Sequence, residues 1–227
     1  MPVAPFRPAA LIPAYDCEAT IFDVVSEARR HLETVFVVDD GSRDETAGEA
    51  ARAGACVLAR RTNGGKGAAI RSGLASLLKS PEITHVLFLD GDGQHDPAEA
   101  TKFFEAARRG EPFVIGSRMS DRASIPAYRY ETNRIGDMIL SRMTGHSVED
   151  GQSGFRLVEA ALLRRIGLSA SGYLIETEML LKAAPRVPRF ATVPIRAIYG
   201  GTSHYRPFRD TWKISWGAVF IQVFELP

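Results

Sequence analysis

The fold of this chain is decided by the stretch Val86-Leu87-Phe88-Leu89-Asp90-Gly91-Asp92-Gly93-Gln94-His95-Asp96-Pro97. Its apolar first part is typical of a buried strand, and the strand stops at two carboxylates, Asp90 and Asp92, separated by a single glycine. In open α/β sheets, ligands bind at the carboxyl ends of the strands. Two carboxylates at that edge repel each other unless a cation lies between them, and Mg²⁺ or Mn²⁺ is the usual cation when the substrate carries phosphates. The stretch therefore indicates an enzyme that handles a nucleoside diphosphate through a metal.

The metal ligands that this turn predicts are Asp90, Asp92 and Gln94. Gly91 would let the backbone fold tightly around an ion, and Gln94 would supply a neutral oxygen. The alternative is a surface turn with solvated carboxylates. We expect His95 to start the following helix or to support the ligands, rather than to bind a hard metal itself.

The length, composition and net charge of the chain limit the classes of protein to which it can belong. A chain of 227 residues is long enough for one domain with a substantial core. Hydrophobic residues make up 45% and charged residues 24%, as in ordinary globular domains, and a net charge of +1 gives no reason to expect nucleic acid as a partner. Cys17 and Cys56 lie far apart, which suits a reducing compartment. Residues 1–8 contain three prolines and no apolar signal core, so we predict a cytoplasmic protein.

Apolar runs of strand type alternate with helical patterns through the first half of the chain. This order implies a doubly wound, mostly parallel α/β sheet flanked by helices, of Rossmann-like type with right-handed crossovers. The predicted strands are 9–14, 34–38, 55–59, 85–89 and 113–115, and the predicted helices are 21–32, one starting near Glu45, 67–78 and 98–108.

The second half of the chain is less regular. Residues 118–130 carry charges, serine and proline without an apolar period, which predicts a mobile loop over the site. No repeat, low-complexity tract or interdomain linker is visible, so we expect residues 1–227 to form a single domain. Helices are predicted at 132–143, 160–166 and 175–184, and a last strand at 191–198.

The segment Asp39-Asp40-Gly41-Ser42 follows the second predicted strand. A helix cap with Gly41 at a positive φ would explain one of its two carboxylates. It does not explain two in succession at the carboxyl end of a strand, where a carboxylate can accept hydrogen bonds from the base or the ribose of a nucleotide. We therefore predict that Asp39 and Asp40 contact a nucleotide.

The segment Arg61-Thr62-Asn63-Gly64-Gly65-Lys66-Gly67 opens a helix after the third strand. Backbone N–H groups at a glycine-rich helix start suit a phosphate, and Lys66 adds positive charge. The spacing is not that of a P-loop, and a plain glycine turn is an equally good interpretation.

Two polar segments later in the chain complete the predicted site. Asp150, Gln152 and Ser153 form a dense hydrogen-bonding set that suits sugar hydroxyls, with a simple connection as the alternative. Residues 199–206 could form a loop that brings Arg206 to a phosphate, with a solvated basic tail as the alternative.

The end of the chain is mostly apolar from residue 214 to residue 226, with Trp212 and Trp216 one helical turn apart. This run is too short to span a bilayer as a helix, which needs about 20 residues. Three interpretations stay open: a last core helix, a truncated membrane anchor, and an amphipathic segment over 207–227 that lies at a membrane surface with its tryptophans at headgroup level.

Together, these segments resemble family 2 glycosyltransferases of the GT-A fold. Among them they are most similar to the polyprenyl-phosphate glycosyltransferases, the group of dolichol-phosphate mannosyltransferase and bacterial undecaprenyl-phosphate glucosyltransferases. They occur in the family's order and cover nearly all of the chain. The segments that carry the resemblance are Ile12-Pro13-Ala14-Tyr15, Val37-Val38-Asp39-Asp40-Gly41-Ser42, Asn63-Gly64-Gly65-Lys66-Gly67, Asp90-Gly91-Asp92-Gly93-Gln94-His95, Gly116-Ser117-Arg118, Asp150-Gly151-Gln152-Ser153-Gly154-Phe155-Arg156 and Ser203-His204-Tyr205-Arg206.

The resemblance implies a nucleoside pocket at the first two motifs and a metal and diphosphate site after the fourth predicted strand. It also implies that Arg118 and Arg134 contact the phosphates. The 203–206 loop would close over donor and acceptor. The residues predicted to act in the transfer are Asp92, Arg118 and Arg206, and those predicted to bind the nucleotide-sugar are Pro13, Tyr15, Asp39, Asp40, Lys66, Asp90, Gly91, Arg134, Gln152 and Ser203.

The chain departs from its relatives at two points. Cys17 falls where many of them carry an acidic residue, which blurs the predicted nucleoside pocket. No transmembrane hairpins follow the catalytic motifs, so access to a membrane would depend on residues 212–224.

The implied reaction is the inverting transfer of a hexose from a UDP- or GDP-sugar to a polyprenyl phosphate, with Mg²⁺ or Mn²⁺ neutralising the departing diphosphate. An acceptor phosphate is anionic near neutral pH and needs little help from a general base. Two alternatives stay open: transfer to a sugar or lipid hydroxyl with Glu176 or Glu178 as the base, and a non-catalytic nucleotide-sugar-binding protein. The expected location is cytoplasmic, peripheral at the inner face of the cell membrane.

Overall fold

A computed structural model describes residues 5–120, 122, 125–196 and 198 of the chain. The strands are β1 (Pro8–Ala14), β2 (Thr34–Asp39), β3 (Cys56–Ala59), β4 (His85–Phe88), β5 (Phe113–Ser117), β6 (Arg156–Glu159) and β7 (Ala191–Pro194). The helices are α1 (Glu18–Arg29), α2 (Thr46–Arg52), α3 (Lys66–Leu77), α4 (Ala100–Arg108), α5 (Ala127–Thr144), α6 (Ala160–Ile166) and α7 (Leu174–Ala183), with short 3₁₀ helices at Pro97–Glu99 and Ala184–Arg186.

The strands form one sheet in the order β3-β2-β1-β4-β6-β5-β7. Strand β6 runs antiparallel to both of its neighbours, and the other pairings are parallel. The chain winds outward from β1 to β3 and then returns to the other side of β1 with β4, so the strand order reverses between β1 and β4. The predicted doubly wound, mostly parallel α/β fold is therefore confirmed.

The register of the sheet brings three polar strand ends together. Ala14 of β1 pairs with Asp39 of β2, and Leu11 of β1 pairs with Phe88 of β4, so the carboxyl ends of these strands lie along one edge. The backbone N–H of Asp40 continues the ladder by donating to the carbonyl of Ala14 at 2.8 Å. A ligand site is expected where the strand order reverses, at this same edge.

Helices cover both faces of the sheet. Because successive side chains of a strand point to opposite faces, Leu11 packs with one apolar cluster and Ile12 with the other. The first cluster includes side chains of α3, α6 and α7 together with Leu140 of α5, and the second includes side chains of α1, α2 and α4. The strands are apolar on both faces because neither face meets water.

Two local elements differ from the prediction. Strand β6 was not predicted, because Arg156 and Glu159 at its ends make so short a strand look polar. Helix α5 begins at Ala127, so the last four residues of the predicted 118–130 loop are helical. The helix starts there because Pro126 is placed at its N-cap, outside the hydrogen-bonded turns.

The predicted functions of the C-terminal segment 207–227, and of Ser203 and Arg206, fall outside the described residues. Among the helices of the described ranges, none has both the length and the apolar character needed to cross a membrane.

Gly73 provides a test of how closely α3 packs on the sheet. A Cβ at this position would clash with Cδ1 of Leu11 and lie 2.9 Å from Cγ2 of Val38. We therefore expect Gly73→Ala to lower the free energy of unfolding by about 1–3 kcal/mol, although alanine favours helix. Urea denaturation followed by circular dichroism measures this change.

The matched control is Gly48→Ala on the exposed side of α2. A Cβ there would meet only the flexible carboxylate of Glu45, at 3.1 Å, so this variant should keep or slightly raise the stability, by up to about 1 kcal/mol. Equal effects at the two glycines would contradict the close packing of α3.

Candidate active site

A cavity of about 400 Å³ opens at the carboxyl ends of β1 and β4. Several elements contribute to its wall, including the turn after β4, the start of α3 and the first turns of α5 and α7. Of the residues predicted for the site, those that line the cavity are Pro13, Tyr15, Asp40, Lys66, Asp90, Gly91, Asp92, Gln94, Arg118, Gln152 and Glu176. Six of the sequence motifs, from separate parts of the chain, therefore meet at one place together with Glu176.

The turn that carries the three predicted metal ligands is held by hydrogen bonds to its own backbone. Asp92 accepts a hydrogen bond from the backbone N–H of Gln94 at 3.1 Å, and Gly93 adopts a positive φ of 73°. The hydroxyl of Thr20 on α1 donates to the carbonyl of Gly91 at 2.7 Å, which ties the turn to the neighbouring helix. The turn is therefore fixed from both sides.

Lys66 lies between two carboxylates beneath this turn. Its ammonium is 2.6 Å from Oδ1 of Asp90 and 2.7 Å from Oε1 of Glu176, and its side chain is only 15% exposed. Lys66 also lies over the ring of Tyr173 at 5.6 Å. The predicted phosphate-binding lysine thus serves as an internal counterion, because both carboxylates reach it within the protein.

The charges of this group shift one another's pKa values. Burial works to lower the pKa of Lys66, but the carboxylates of Asp90 and Glu176 outweigh it and raise that pKa. Burial likewise works against ionised Asp90, yet Lys66 lowers the pKa of Asp90 below its usual value. Burial and the nearby charge of Asp90 raise the pKa of Asp92 to about 6. Lys66 therefore pairs with two acidic side chains, and Asp92 adds a third acidic group close to Asp90.

This charge excess fits a divalent cation. Asp90, Asp92 and Gln94 offer hard oxygen donors, which Mg²⁺ and Mn²⁺ prefer over the nitrogen and sulfur donors that favour zinc. Within the described ranges, no three His, Cys, Asp or Glu side chains cluster as a metal-ligand set. A cation at Asp92 would therefore take further ligands from a diphosphate and water, as Mg²⁺ commonly does.

Gly154, before β6, and His95, later in the same turn as Asp90, close the space behind Asp90. A Cβ at Gly154 would lie 2.9 Å from Cγ of Asp90, so only glycine leaves room for this carboxylate. His95 is buried, with Nδ1 at 4.0 Å from Asp90 and its ring 5.3 Å from that of Phe155. Neither ring nitrogen has a hydrogen-bond partner within the described residues, and burial lowers the pKa of His95 to about 4. His95 is therefore neutral at pH 7.

The two aspartates after β2 have different positions. Asp40 lines the cavity, pairs with Arg60 and accepts a hydrogen bond from the backbone N–H of Gly65 at 2.7 Å. Asp39 does not line the cavity, since its Oδ1 accepts the backbone N–H of Ser42 at 3.0 Å inside its own turn. The local-turn interpretation thus accounts for Asp39, while Asp40 fixes the glycine turn that starts α3.

Arg118 reaches the cavity from the end of β5. Its guanidinium donates two hydrogen bonds of 2.7 Å to the carboxylate of Asp150, one to each oxygen. Asp150 is fully buried at a positive φ of 53°, an uncommon conformation for a residue other than glycine. Asp137 of α5 holds that backbone in place, because its two oxygens accept the N–H groups of Asp150 and Gly151 at 2.8 Å each.

The sugar-binding set predicted around residue 150 was wrong in part. Asp150 and Ser153 are both fully buried and do not line the cavity: Asp150 pairs with Arg118, and the hydroxyl of Ser153 accepts the backbone N–H of Phe155 at 3.3 Å. Gln152 alone of the three lines the cavity.

Arg134 and Glu178 also lie elsewhere. Arg134 points outward from α5, where its side chain is 67% exposed and pairs with Glu131 at 3.1 Å. Glu178, two residues after Glu176 and therefore on another face of α7, is fully buried and accepts hydrogen bonds from the backbone of Ala170 and from Lys182, both at 2.8 Å. Neither residue lines the cavity, so the cavity wall does not support the phosphate contact that the resemblance implied for Arg134 or the role of base considered for Glu178.

Sequence reasoning missed three features of the site. Arg156 is 1% exposed beneath the cavity, and its guanidinium donates to the backbone carbonyls of Gly151, Ser153 and Glu176. Asp137 has no sequence signal beyond being an acidic residue on a helix. The cavity wall formed by α5, with Tyr128 and Thr132, lay partly in the predicted loop.

Comparison with known proteins gives a consistent picture. The family model described as "Glycosyl transferase family 2" matches residues 9–167. The chain is 32% identical to glycosyltransferase AglJ of Haloferax volcanii, over 95% of this chain and 70% of that protein. It is also 32% identical to an undecaprenyl-phosphate mannosyltransferase of Micrococcus luteus, over 71% of this chain and 70% of that protein.

A third relative and the solved structures extend this comparison. The chain is 27% identical to a polyprenol monophosphomannose synthase of Mycolicibacterium smegmatis, over 83% of this chain and 76% of that protein. Glucosyl-3-phosphoglycerate synthase from Mycobacterium tuberculosis, in complex with Mn²⁺, UDP and its product, aligns with a TM-score of 0.76 at 21% identity. That alignment covers 99% of this chain and 82% of the other, and it shows the same fold.

The buried Lys66 group can be tested by removing its ammonium. We expect Lys66→Met to lower the free energy of unfolding by about 3 kcal/mol, because it leaves Asp90 and Glu176 buried without a counterion. Adding Glu176→Gln should restore part of the loss, since one uncompensated charge disappears. Chemical denaturation of both variants measures these differences.

The control is the same substitution at Lys79, whose side chain is exposed after α3. It should change the stability by about 0.5 kcal/mol or less. A Lys66→Met variant no less stable than Lys79→Met would show that Lys66 is not the counterion of this group.

The buried carboxyl of Asp137 should make the stability of the protein depend on pH in a specific way. Burial raises the pKa of the Asp137 carboxyl from 3.8 to about 6, so the folded chain binds more protons than the unfolded chain between these pH values. Its contribution to stability therefore falls as the pH rises through that window, by an amount on the order of 2 kcal/mol. Asp137→Asn should lose this fall, which denaturation at a series of pH values measures.

The exposed Asp23 on α1 offers the matched Asp→Asn control, which should keep the wild-type pH profile. Identical profiles for Asp137→Asn and wild type would contradict the raised pKa. Because asparagine can accept only one of the two backbone N–H groups, the Asp137 variant should be less stable than the wild type at low pH, and the difference should shrink as the pH rises through 6.

Proposed function

The chain belongs to glycosyl transferase family 2, and from this premise we propose that it transfers a hexose from a UDP- or GDP-sugar to a polyprenyl phosphate with the help of Mg²⁺ or Mn²⁺. The observation that carries the proposal is the Asp90–Asp92 turn at the point where the strand order reverses, above the buried Lys66. The acceptor class is supported by the Micrococcus luteus and Mycolicibacterium smegmatis relatives, whose names specify polyprenyl mannosyl transfer.

In this proposal, Asp90, Asp92 and Gln94 hold the cation. When bound, the cation would neutralise the negative charge of the departing diphosphate. Pro13 and Tyr15 line the cavity beside β1, where a nucleoside would bind. The backbone N–H groups of Gly64 and Gly65 donate to the carboxylate of Asp40, so they are not available to bind a phosphate. Phosphate recognition therefore falls to other groups.

Arg118 is the described arginine best placed for that recognition. Its side chain is part of the cavity wall, and the two hydrogen bonds to Asp150 fix the plane of its guanidinium. A fixed guanidinium loses little side-chain entropy when it binds a phosphate. We extend the proposal to Ser203 and Arg206, which lie beyond the described residues, as groups that close over the substrates.

The choice of a phosphate acceptor follows from the candidate bases. Transfer to a hydroxyl needs a general base near the reacting atoms, whereas a phosphate monoester is already anionic. Glu178 is turned away from the cavity, and one oxygen of Glu176 is held by Lys66. The second candidate, transfer to a hydroxyl, rests on Oε2 of Glu176, which is buried without a hydrogen-bond partner in the described structure.

The location proposed with this function is peripheral, at the inner face of the cell membrane, where a lipid-linked phosphate and a cytoplasmic nucleotide-sugar meet. The non-catalytic alternative has less support, because the carboxylates that would hold the cation are present and line the cavity.

The test is a transfer assay with labelled UDP- and GDP-hexoses, a short-chain polyprenyl phosphate and, in parallel, the matching polyprenol. We expect labelled lipid only with the phosphate, only with Mg²⁺ or Mn²⁺ present, and with one nucleotide preferred. Asp92→Asn should lower the rate by at least about 100-fold, because it removes a ligand charge from the leaving-group site. Asp23→Asn, the same change on an exposed helix face, should leave the rate unchanged.

Three results would count against the proposal. Undiminished transfer by Asp92→Asn, or transfer in the presence of a chelator, would remove the metal site. If the polyprenol is labelled and Glu176→Gln abolishes that labelling, the result would favour a hydroxyl acceptor. Tight nucleotide-sugar binding without turnover on either lipid would favour the non-catalytic alternative.

A further inference from the structure

Helix α5 carries an exposed apolar face that its packing does not explain. The exposed fractions are 55% for Tyr128, 51% for Ile135, 64% for Met138 and 41% for Ile139. Among the described residues, Ile198 is the only other large hydrophobic side chain with comparable exposure. Scattered exposed apolar residues are normal in soluble proteins, but a group on one helix marks an interaction surface.

The spacing of these side chains places them together. Positions 128, 135, 138 and 139 recur at the intervals of one helix face, and the opposite face carries the buried Asp137 and Leu140. Helix α5 is therefore held to the rest of the protein by one side only. We call the outward side the α5 outer face; it is defined by Tyr128, Ile135, Met138 and Ile139.

Basic residues accompany the α5 outer face. Arg134 and Arg142 are exposed within the same arc of the helix, and Arg122 is exposed just before it. The acidic residue in this arc is Glu131, which pairs with Arg134 across a solvent-exposed contact of 3.1 Å. Apolar side chains with arginines among them are the composition of a helix that lies in the headgroup region of an anionic membrane.

The same helix leads into the cavity. Its first turns contribute Tyr128 and Thr132 to the cavity wall, so the α5 outer face continues directly from the rim of the candidate active site. Residues 127–144 extend for about 27 Å at the usual rise of an α-helix, which is long enough to lie along a membrane surface. A lipid whose phosphate enters the cavity would then have its chain beside this helix.

We propose that the α5 outer face binds the surface of an anionic lipid membrane. Arginine side chains can lie along the apolar surface and keep their charged ends among lipid phosphates. A second copy of the chain fits less well, because an antiparallel α5 pair about Met138 would place Arg134 of one copy against Arg142 of the other. Like charges at a desolvated contact oppose association. The inference depends on the proposed lipid-linked acceptor for its biological role.

The test uses the full chain with vesicles of phosphatidylcholine, with and without phosphatidylglycerol, and contains neither donor nor acceptor. Met138→Glu combined with Ile139→Glu should lower the partition coefficient onto the anionic vesicles by at least about tenfold, since it places two charges in the apolar face. The control adds the same two charges at Ala51 and Ala75, which are exposed on α2 and α3, and should bind as the wild type does.

A second variant tests the same proposal if the glutamate variant is poorly folded. Arg134→Gln with Arg142→Gln should weaken binding to anionic vesicles and leave the weak binding to neutral vesicles unchanged, with a smaller response to added salt. Nucleotide-induced thermal stabilisation, measured on every variant, reports whether the donor site is intact.

Three outcomes would overturn the inference: no binding of the wild type to anionic vesicles, equal binding of the wild type and the glutamate variant, or a wild-type dimer that the glutamate variant converts to a monomer. Because vesicle binding is measured without turnover, it can fail while the transfer assay succeeds, and the reverse is also true.

Discussion

The ion-pair group of Lys66, Asp90 and Glu176 is the contact on which the rest of the site depends. It joins the start of α3, the end of β4 and the first turn of α7, three elements that are far apart in the sequence and meet only in the folded chain. A buried carboxylate without a counterion is costly, so the lysine allows Asp90 to be ionised at the floor of a cavity. With Asp90 ionised and held, Asp92 is the carboxylate that remains nearest to an incoming cation. The glycine turn, the close approach of Gly154 and the register of β4 all serve to keep this geometry.

A second line of contacts runs from α5 to the cavity and fixes the positive charge of the site. Asp137 holds the backbone of Asp150 in a left-handed conformation, and Asp150 in turn orients the guanidinium of Arg118. Negative charge at the end of β4 and positive charge at the end of β5 are thus positioned by separate sets of interactions. A substrate that carries a diphosphate, together with a divalent cation, matches this arrangement of opposite charges. The family assignment and the residues that line the cavity agree with that chemistry.

The sequence predicted the architecture because apolar strands that stop at Asp39 and Asp90 are a local pattern, and alternation with helices determines a doubly wound sheet. It could not predict the partners of Lys66, because Glu176 comes from the far end of the described chain and nothing local connects them. Arg134 and Glu178 were misplaced for another reason: on a helix, a shift of one or two residues turns a side chain from a cavity to solvent or to the core. Strand β6 was missed because Arg156 reads as polar, although its guanidinium is buried against three carbonyl groups. The hydrogen bonds that compensate for the burial of this guanidinium can be seen only in the folded structure.

The antiparallel direction of β6 has a consequence for how the protein folds. A parallel strand offers the cavity the loop that follows it, whereas β6 offers the loop that precedes it, with Gly154 and Gln152. These residues reach Asp90 only after β6 has inserted between β4 and β5, a pairing between segments distant in the chain. Contacts of such long range form slowly compared with the local β-α-β units of the first half. A nascent chain would therefore form most of its sheet before it can bind a sugar donor. A partly folded molecule would be compact but would not yet bind substrate.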